Sequence, residues 1–326
     1  MSSETRLGGA PSREAHLELY RRMLVIRRFE DRAEKLHTAA HINGPFHSSA
    51  GQEAVAVGAC AALRTTDVIT STHRGHGHLI AKGADLTRMW AELRGAETGL
   101  SGGLGGSMHI SDMSVGAIGE NGIVGASVYL ATGAALGFQV QQTDDVALAF
   151  TGDGSLAQGV LFECLTLASI WSLPVVFVCE DNRYAHSFPA ARIALSANRC
   201  DWWSSFGVAG ARCDGTDVLE VLRLTTEATR RARSGAGPTF LHFDCYRWRG
   251  HNLNDADQLY RTREEVEAGR QRDPIATSRA RLAAEWSDEE IAAVERKAES
   301  DVDLAWDRAL SAPRTDVRAV FEGVPG

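Results

Sequence analysis

The chain of 326 residues has no basic excess. Its 34 Lys and Arg stand against 42 Asp and Glu, a formal net charge of -8. No extended positive field exists to hold nucleic acid or an anionic membrane, and any anion site must be local. The six cysteines (Cys60, Cys164, Cys179, Cys200, Cys213, Cys245) lack the short paired spacing of zinc or redox motifs. Most lie in apolar runs, and they read as buried free thiols of a cytoplasmic protein. Residues 1–14 are polar and Gly/Ser-rich with no apolar segment, which argues for a flexible leader against a signal peptide or anchor. Repeats and low-complexity tracts are also lacking, and 44% hydrophobic with 23% charged residues excludes disorder. Only Gly122–Val140 is long and uncharged enough to resemble a membrane span. Its Ser127, Thr132, Gln139 and glycines predict a buried core helix instead, with Gly133 and Gly137 allowing close approach to a neighbour.

What is present is alternation. Leu17, Tyr20, Met23, Leu24, Ile26 and Phe29 recur at helical spacing, Gly51–Leu63 is Ala/Val-rich with the single charge Glu53, and Asp85 precedes a helix through Leu93. Ser101–Gly106 holds four glycines in six residues and reads as a tight loop. Apolar runs at Val146–Phe150, Val175–Cys179 and Thr239–Cys245 then alternate with helical stretches at Val160–Trp171 and about Asp217–Arg233. The pattern predicts an α/β fold with a mostly parallel sheet and helices on both faces. A capping box at Ser287 and Glu290 opens a polar helical tail running to Leu310.

In open parallel sheets ligands collect beyond the carboxyl ends of the strands, and two such ends carry unusual polar groups. Gly152-Asp153-Gly154-Ser155 would turn backbone amides to a phosphate while Asp153 offers a hard carboxylate oxygen. Glu180-Asp181-Asn182-Arg183-Tyr184 follows the next run. Asp153, the Asn182 amide oxygen and a backbone carbonyl would suit a magnesium ion that shares its oxygens with a diphosphate. A Gly-Asp-Gly followed about thirty residues later by Asn at the next strand end is similar to the thiamine diphosphate fingerprint.

Four further motifs occur in order: Gly105-Gly106-Ser107-Met108-His109, Asn121-Gly122-Ile123-Val124-Gly125-Ala126, Tyr246-Arg247-Trp248-Arg249-Gly250-His251 and Tyr260-Arg261-Thr262-Arg263-Glu264-Glu265. Together they resemble the alpha subunit of the decarboxylating, thiamine-dependent component of 2-oxo acid dehydrogenase complexes, from about Leu17 to Pro274. Ser71–His78 with Ala81-Lys82-Gly83 is similar to the acetoin dehydrogenase branch. The resemblance implies a thiamine diphosphate-binding fold divided into a leader (1–14), a diphosphate-binding domain (15–275) and a helical tail (276–326). It implies thiamine diphosphate and Mg2+ as cofactors, with Asp153, Asn182 and the Tyr184 carbonyl as metal ligands. Arg74, His73, Gly154 and Ser155 would meet the diphosphate, Gly122 and Val124 the aminopyrimidine through main-chain groups. His47 and His251 match the active-site histidines and would also touch the cofactor.

His16, His37, His41, His78, His186 and His242 read as structural or surface residues, and His76 and His109 stay open between ordering the glycine-rich loop and acting in the site. Three departures stand out: Asp181 for the first Asn of the usual pair, Ala157 for an Asn after the Gly-Asp-Gly, and Asn252 where mitochondrial members carry a phosphorylated Ser. Leu259 stands at the second regulatory serine position, so control by the dedicated kinase is not expected. In this family the glutamate that activates the pyrimidine belongs to a beta subunit. Glu53 and Glu120 stand in no motif for that task, so the resemblance implies half of an active site in a two-alpha, two-beta assembly. The expected activity is cleavage of a 2-oxo acid or acetoin, with transfer of the acyl unit to a lipoyl-bearing acyltransferase. Two alternatives stay open: a thiamine-dependent acyl or acyloin transferase with a small-molecule acceptor, and a non-catalytic assembly subunit.

Overall fold

A computed structural model describes residues 11–316, apart from 43 and 194–200, and residue 318. Cys200 lies outside the described residues. Helix α1 (Arg13–Thr38) is capped by the Ser12 hydroxyl and turns Tyr20, Met23, Ile26 and Phe29 inward, as their spacing predicts. Helix α2 (Glu53–Ala61) is buried along most of its length. Strand β1 (Val68–Thr70) leads to α3 (His76–Lys82) and to α4 (Leu86–Leu93), which Asp85 caps. Then come β2 (Ala117–Gly119), α5 (Ala126–Gln141), β3 (Ala147–Gly152), α6 (Gly159–Ile170) and β4 (Val175–Asp181). A short hairpin, β5 (Tyr184–Ala185) and β6 (Phe188–Pro189), precedes β7 (Ala209–Asp214), α7 (Val218–Arg233) and β8 (Thr239–Asp244). Three helices follow: α8 (Arg263–Arg270), α9 (Pro274–Leu282) and α10 (Asp288–Ala309), the last opened by the Ser287–Glu290 capping box.

Six strands form one parallel sheet in the order β2-β1-β3-β4-β8-β7. Alternate residues of the same strands serve opposite faces. Leu148, Phe150, Val176, Val178, Leu241 and Phe243 enter a core shared with α1, α2, α4, α7 and α10. Ala147, Ala149, Val175, Phe177 and Phe240 face a second core with α5, α6, Trp202 and Trp203. Burial on both faces explains why these strands read as continuous apolar runs. The tail helix α10 joins the first core through Trp306, whose ring meets Trp90 edge-on at 5.3 Å.

The chain leaves β1 toward the β2 edge and leaves β3 toward β4, so neighbouring strands send their connections in opposite directions. That reversal creates a crevice at the carboxyl ends of β1 and β3, the place where open α/β sheets take ligands. Ser71–Arg74 follow β1, Asp153–Ser155 follow β3, and Asn182–Tyr184 follow β4.

Two expectations need correction. Gly122–Val140 is not a helix buried on most sides: residues 122–125 precede α5, and α5 buries Val128, Ala131 and Ala135 while Tyr129, Leu136 and Val140 are exposed. The apolar composition that suggests burial is spread around the helix, but only one side meets this chain. Gly133 and Gly137 therefore approach nothing here, since a Cβ on either would meet no atom within 4 Å. Among the cysteines, Cys60, Cys164, Cys179 and Cys245 are buried free thiols, whereas Cys213 on the edge strand is only half-buried. Three strands of the sheet leave no trace in the sequence pattern. β1 and β2 have three residues each, and edge strand β7 (Ala-Gly-Ala-Arg-Cys-Asp) lacks a β-branched run. Among the described residues no helix is long and apolar enough to cross a membrane.

Helices α2 and α7 touch at Gly58, where a Cβ would lie 2.7 Å from Val221 Cγ1 and 2.9 Å from the Val218 carbonyl. Gly58→Ala gains about 1 kcal/mol of helix propensity, yet it forces a backbone contact apart at an overpacking cost of about 1–3 kcal/mol. The expected outcome is a lower thermal midpoint, measured by calorimetry on the full chain; a higher midpoint would mean that the two helices separate freely.

Candidate active site at the carboxyl edge of the sheet

The parallel register places Gly152 beside Glu180 and Asp181 beside Asp244, so the segments after β3, β4 and β8 leave the sheet side by side. Asp153 opens a 3₁₀ turn after β3 and is 2% exposed. Its Oδ2 has no hydrogen-bond partner. Burial, then the neighbouring Asp181, pushes its carboxyl up to about 7. A buried carboxylate oxygen without a partner is costly unless a cation meets it.

Asn182 is held by its amide nitrogen, which donates to Gln52 Oε1 at 3.0 Å, leaving Oδ1 for the Tyr184 N–H at 3.4 Å. The Tyr184 carbonyl accepts from Arg247 Nη1 at 3.2 Å. Arg183 and His186, on either side of the hairpin start, have positive φ (78° and 55°), a cost accepted at sites that the surrounding structure over-determines. Tyr184 and Tyr246 donate their hydroxyls to the one carboxylate oxygen Glu265 Oε1, at 2.6 and 3.0 Å.

Arg74 is 4% exposed. Its Nη1 donates to the Ser48 carbonyl and its Nη2 to the His251 carbonyl, both at 2.7 Å. Burial and the nearby Arg247 lower it to about 9, so it stays cationic at neutral pH. Around it stand His47, His73 and His251, with ring centres 4.8–5.3 Å apart. Burial and the Arg74 charge depress all three, to about 3, 2 and 3, so the imidazoles are neutral. The structure thus brings together Arg74, His47, His73 and His251 as one cluster, and Ser155 is buried in the turn after Asp153. Gly154 packs close, a Cβ there meeting Ala185 Cβ at 3.1 Å. Gly122 and Val124 lie instead on an exposed loop ahead of α5, where a Cβ on Gly122 would be 3.8 Å from the His109 ring.

The model of the family described as "Dehydrogenase E1 component" matches residues 21–318. The chain belongs to this E1 family. It is 42% identical, over 92% of its own length and 90% of that protein, to the alpha subunit of acetoin:2,6-dichlorophenolindophenol oxidoreductase of Bacillus subtilis. It is 39% identical, over 96% and 90%, to the pyruvate dehydrogenase E1 component subunit alpha of Rhizobium meliloti. The somatic mitochondrial form of the human subunit shares 37% over 90% and 73%.

The cofactor implied for an E1 component, thiamine diphosphate with Mg2+, fits the residues present. Asp153 has a buried, partnerless oxygen; Asn182 and Tyr184 offer oxygens at the next strand end; Arg74 is a buried cation bonded to carbonyls.

Sequence reasoning passes over several contributors. Arg247, 1% exposed, bridges the Tyr184 and His186 carbonyls and the Tyr260 hydroxyl. Gln52 orients Asn182. Arg247 lies inside the Tyr246–His251 motif and Gln52 at the head of the Ala/Val-rich segment Gly51–Leu63, and those positions are the available signal. His186 reads as structural or surface in the sequence, yet its ring lies 4.3 Å from His251; nothing local in sequence marks it. His76 proves to be fully buried between Glu30 Oε1 (3.3 Å) and the Ser107 hydroxyl (3.0 Å).

Asp153→Asn makes two opposed predictions. A carboxyl raised to about 7 in the folded chain contributes instability that grows as pH rises from about 4 to 7 and is full above that range. At pH 8 the variant without ligands should therefore melt higher than the parent, and near pH 4 the gap should close. In the same variant Mg2+-dependent binding of thiamine diphosphate, followed by calorimetry, should be lost. Unchanged melting at pH 8 together with intact binding would remove Asp153 from the site.

Proposed function

We propose that the chain is the alpha subunit of a thiamine diphosphate-dependent 2-oxo acid or acetoin dehydrogenase, residues 15–275 forming its cofactor domain and 276–326 its tail, of which 317 and 319–326 lie outside the described residues. The observation that carries this reading is the buried, partnerless oxygen of Asp153 at the strand crevice, beside the strand end that bears Asn182 and Tyr184. Asp153, the Asn182 Oδ1 and the Tyr184 carbonyl would hold Mg2+. Arg74, His73 and the main-chain groups of Gly154 and Ser155 would hold the diphosphate, the guanidinium offering two parallel donors. Gly122 and Val124 would meet the aminopyrimidine by their backbones. The bound cofactor supplies the electron sink for cleaving the bond next to the substrate carbonyl.

His47 and His251 act at the substrate. As neutral imidazoles each has one N–H donor and one lone pair, enough to orient a carboxylate or carbonyl oxygen and to move a proton at neutral pH. The His251 carbonyl is pinned by Arg74 and its N–H donates to Asp255 Oδ2 at 2.6 Å, so its ring is presented from a fixed backbone.

A beta subunit would complete the site. Glu53 is buried and spent on Arg27, at 2.5 Å. Glu120 is buried and pushed up to about 8, by burial foremost, which makes it a neutral acid at pH 7. Neither offers a free carboxylate to a pyrimidine ring. The exposed apolar residues Ile123, Val124, Tyr129, Leu136 and Val140 around the same loop and helix suit burial by such a partner in a two-alpha, two-beta assembly. The alpha-subunit names of the relatives agree with this. A lipoyl-bearing acyltransferase would take the acyl unit, and the buried free thiols suit the reducing cytoplasm. The name of the Bacillus relative favours acetoin as substrate; a transferase using a small acceptor is the competing outcome.

Purified alone, the chain should show no turnover. With its beta partner it should reduce an artificial dye, and a panel of acetoin, pyruvate and branched 2-oxo acids assigns the branch. Decarboxylation by the isolated chain, with mass spectrometry excluding a co-purified partner, would refute the shared site. In the assembled enzyme His251→Ala should lower turnover by about a hundredfold or more while the thermal midpoint barely moves. Near-normal turnover would make His251 a purely structural residue.

A further inference from the structure

His47, His73 and His251 meet one another where no carboxylate hydrogen-bonds to any of their rings among the described residues. His47 stands ahead of α2, His73 after β1 and His251 after β8, so three segments anchored on one scaffold build the triangle. One ring nitrogen from each lies within 4.8 Å of the other two. His47 is 5% exposed and its Nδ1 is buried without a hydrogen-bond partner. Zinc bonds of about 2.0–2.1 Å in a tetrahedron set ligand nitrogens about 3.4 Å apart. The triangle therefore closes on one ion with side-chain shifts of roughly an ångström.

We propose that His47, His73 and His251 form a three-histidine site for a borderline transition ion, Zn2+ foremost, with its fourth position open to water. Its chemistry differs from that of the oxygen set at Asp153, Asn182 and Tyr184: imidazole nitrogen favours Zn2+, Cu2+ and Ni2+, and carboxylate and carbonyl oxygen favour Mg2+. The three rings carry no proton charge at neutral pH, so the ion displaces no bound proton from an imidazolium. Two groups oppose it. Arg74 Nη2 lies 3.4 Å from His251 Nδ1, so an ion taking that nitrogen displaces the contact and sits beside a fixed positive charge, and the charge of Arg247 also reaches all three rings. Arg74 thus has opposite effects on the two ligand classes, favouring a diphosphate and disfavouring a dication. Zinc and the diphosphate cofactor would then compete for the cofactor-free enzyme; this competition rests on the reading under Proposed function, whereas the zinc site rests on the imidazoles alone.

The test uses Co2+ as the spectroscopic stand-in for Zn2+ in the full chain stripped of metal and cofactor. The wild-type chain should develop the visible bands of a tetrahedral, nitrogen-rich site at one ion per chain, abolished by Zn2+ and untouched by excess Mg2+. His73→Tyr should weaken Co2+ binding by about tenfold or more, and Arg74→Gln should tighten it. Wild-type Co2+ affinity in His73→Tyr, displacement by Mg2+, or a sulfur-to-cobalt charge-transfer band that marks cysteine ligands would each overturn the proposal. Should His73→Tyr fail to fold by circular dichroism, the Arg74→Gln titration decides, since weaker binding there contradicts the site. Because no cofactor is present, failure here leaves the magnesium reading standing. Cofactor binding that survives Asp153→Asn would sink that reading and leave the cobalt spectrum intact.

Discussion

Arg74 is the constraint on which the site depends. A guanidinium with 4% exposure is expensive to bury, and its hydrogen bonds among the described residues run to two carbonyls and an imidazole. In making them it ties the end of β1 to the approach to α2 and to the loop after β8. The segment before α2 brings His47, its own segment brings His73, and the loop brings His251. The same charge helps to keep the three imidazoles neutral. It also leaves positive potential without a hydrogen-bonded carboxylate, which an incoming diphosphate would relieve. Asp153 carries the complementary deficit, a buried oxygen without a donor. Two buried groups of opposite sign at one crevice, Arg74 without a hydrogen-bonded carboxylate and Asp153 with an oxygen no donor meets, suit a metal-bound polyanion.

The scaffold behind this site is held by satisfied charges. Glu92 on α4, 1% exposed, accepts four backbone N–H groups of the glycine-rich loop, from Ser101, Gly103, Gly105 and Gly106, at 2.7–3.1 Å. That internal carboxylate shapes the loop, whose Ser107 hydroxyl then meets His76. On the other flank Arg261 donates to the carbonyls of Arg247 and Arg249 and pairs with Asp257, fixing the strand-to-loop passage toward His251. Both devices place rigid, fully hydrogen-bonded structure behind residues that are themselves under-satisfied, which is how preorganised sites are built.

Much of this is legible in the amino-acid sequence. Buried parallel strands β3, β4 and β8 announce themselves as apolar runs, and the caps at Asp85, Asp217 and Ser287 mark helix starts. Asp153 and Asn182 stand out because a Gly-Asp-Gly turn and an Asn at successive strand ends together could offer oxygen ligands and phosphate-facing amides. β1, β2 and β7 are hidden because three-residue strands and an edge strand of small and charged residues carry no period. The exposed flank of α5 is misjudged because composition cannot say which protein buries an apolar face. His186 is missed because its approach to His251 follows from the hairpin after β4 and from Arg247 gripping its carbonyl, neither of which local sequence encodes.

The central claim is that one divalent ion is held jointly by the segments after β3 and β4. Its most direct measurement is anomalous diffraction from crystals of the chain, with its partner subunit, grown with thiamine diphosphate and Mn2+ in place of Mg2+. The account predicts a single strong manganese peak per alpha chain, ligated by an Asp153 carboxylate oxygen, Asn182 Oδ1 and the Tyr184 carbonyl, with the remaining positions taken by diphosphate oxygens and water. A manganese peak elsewhere, or cofactor density with none of these three oxygens in contact with the ion, would contradict it.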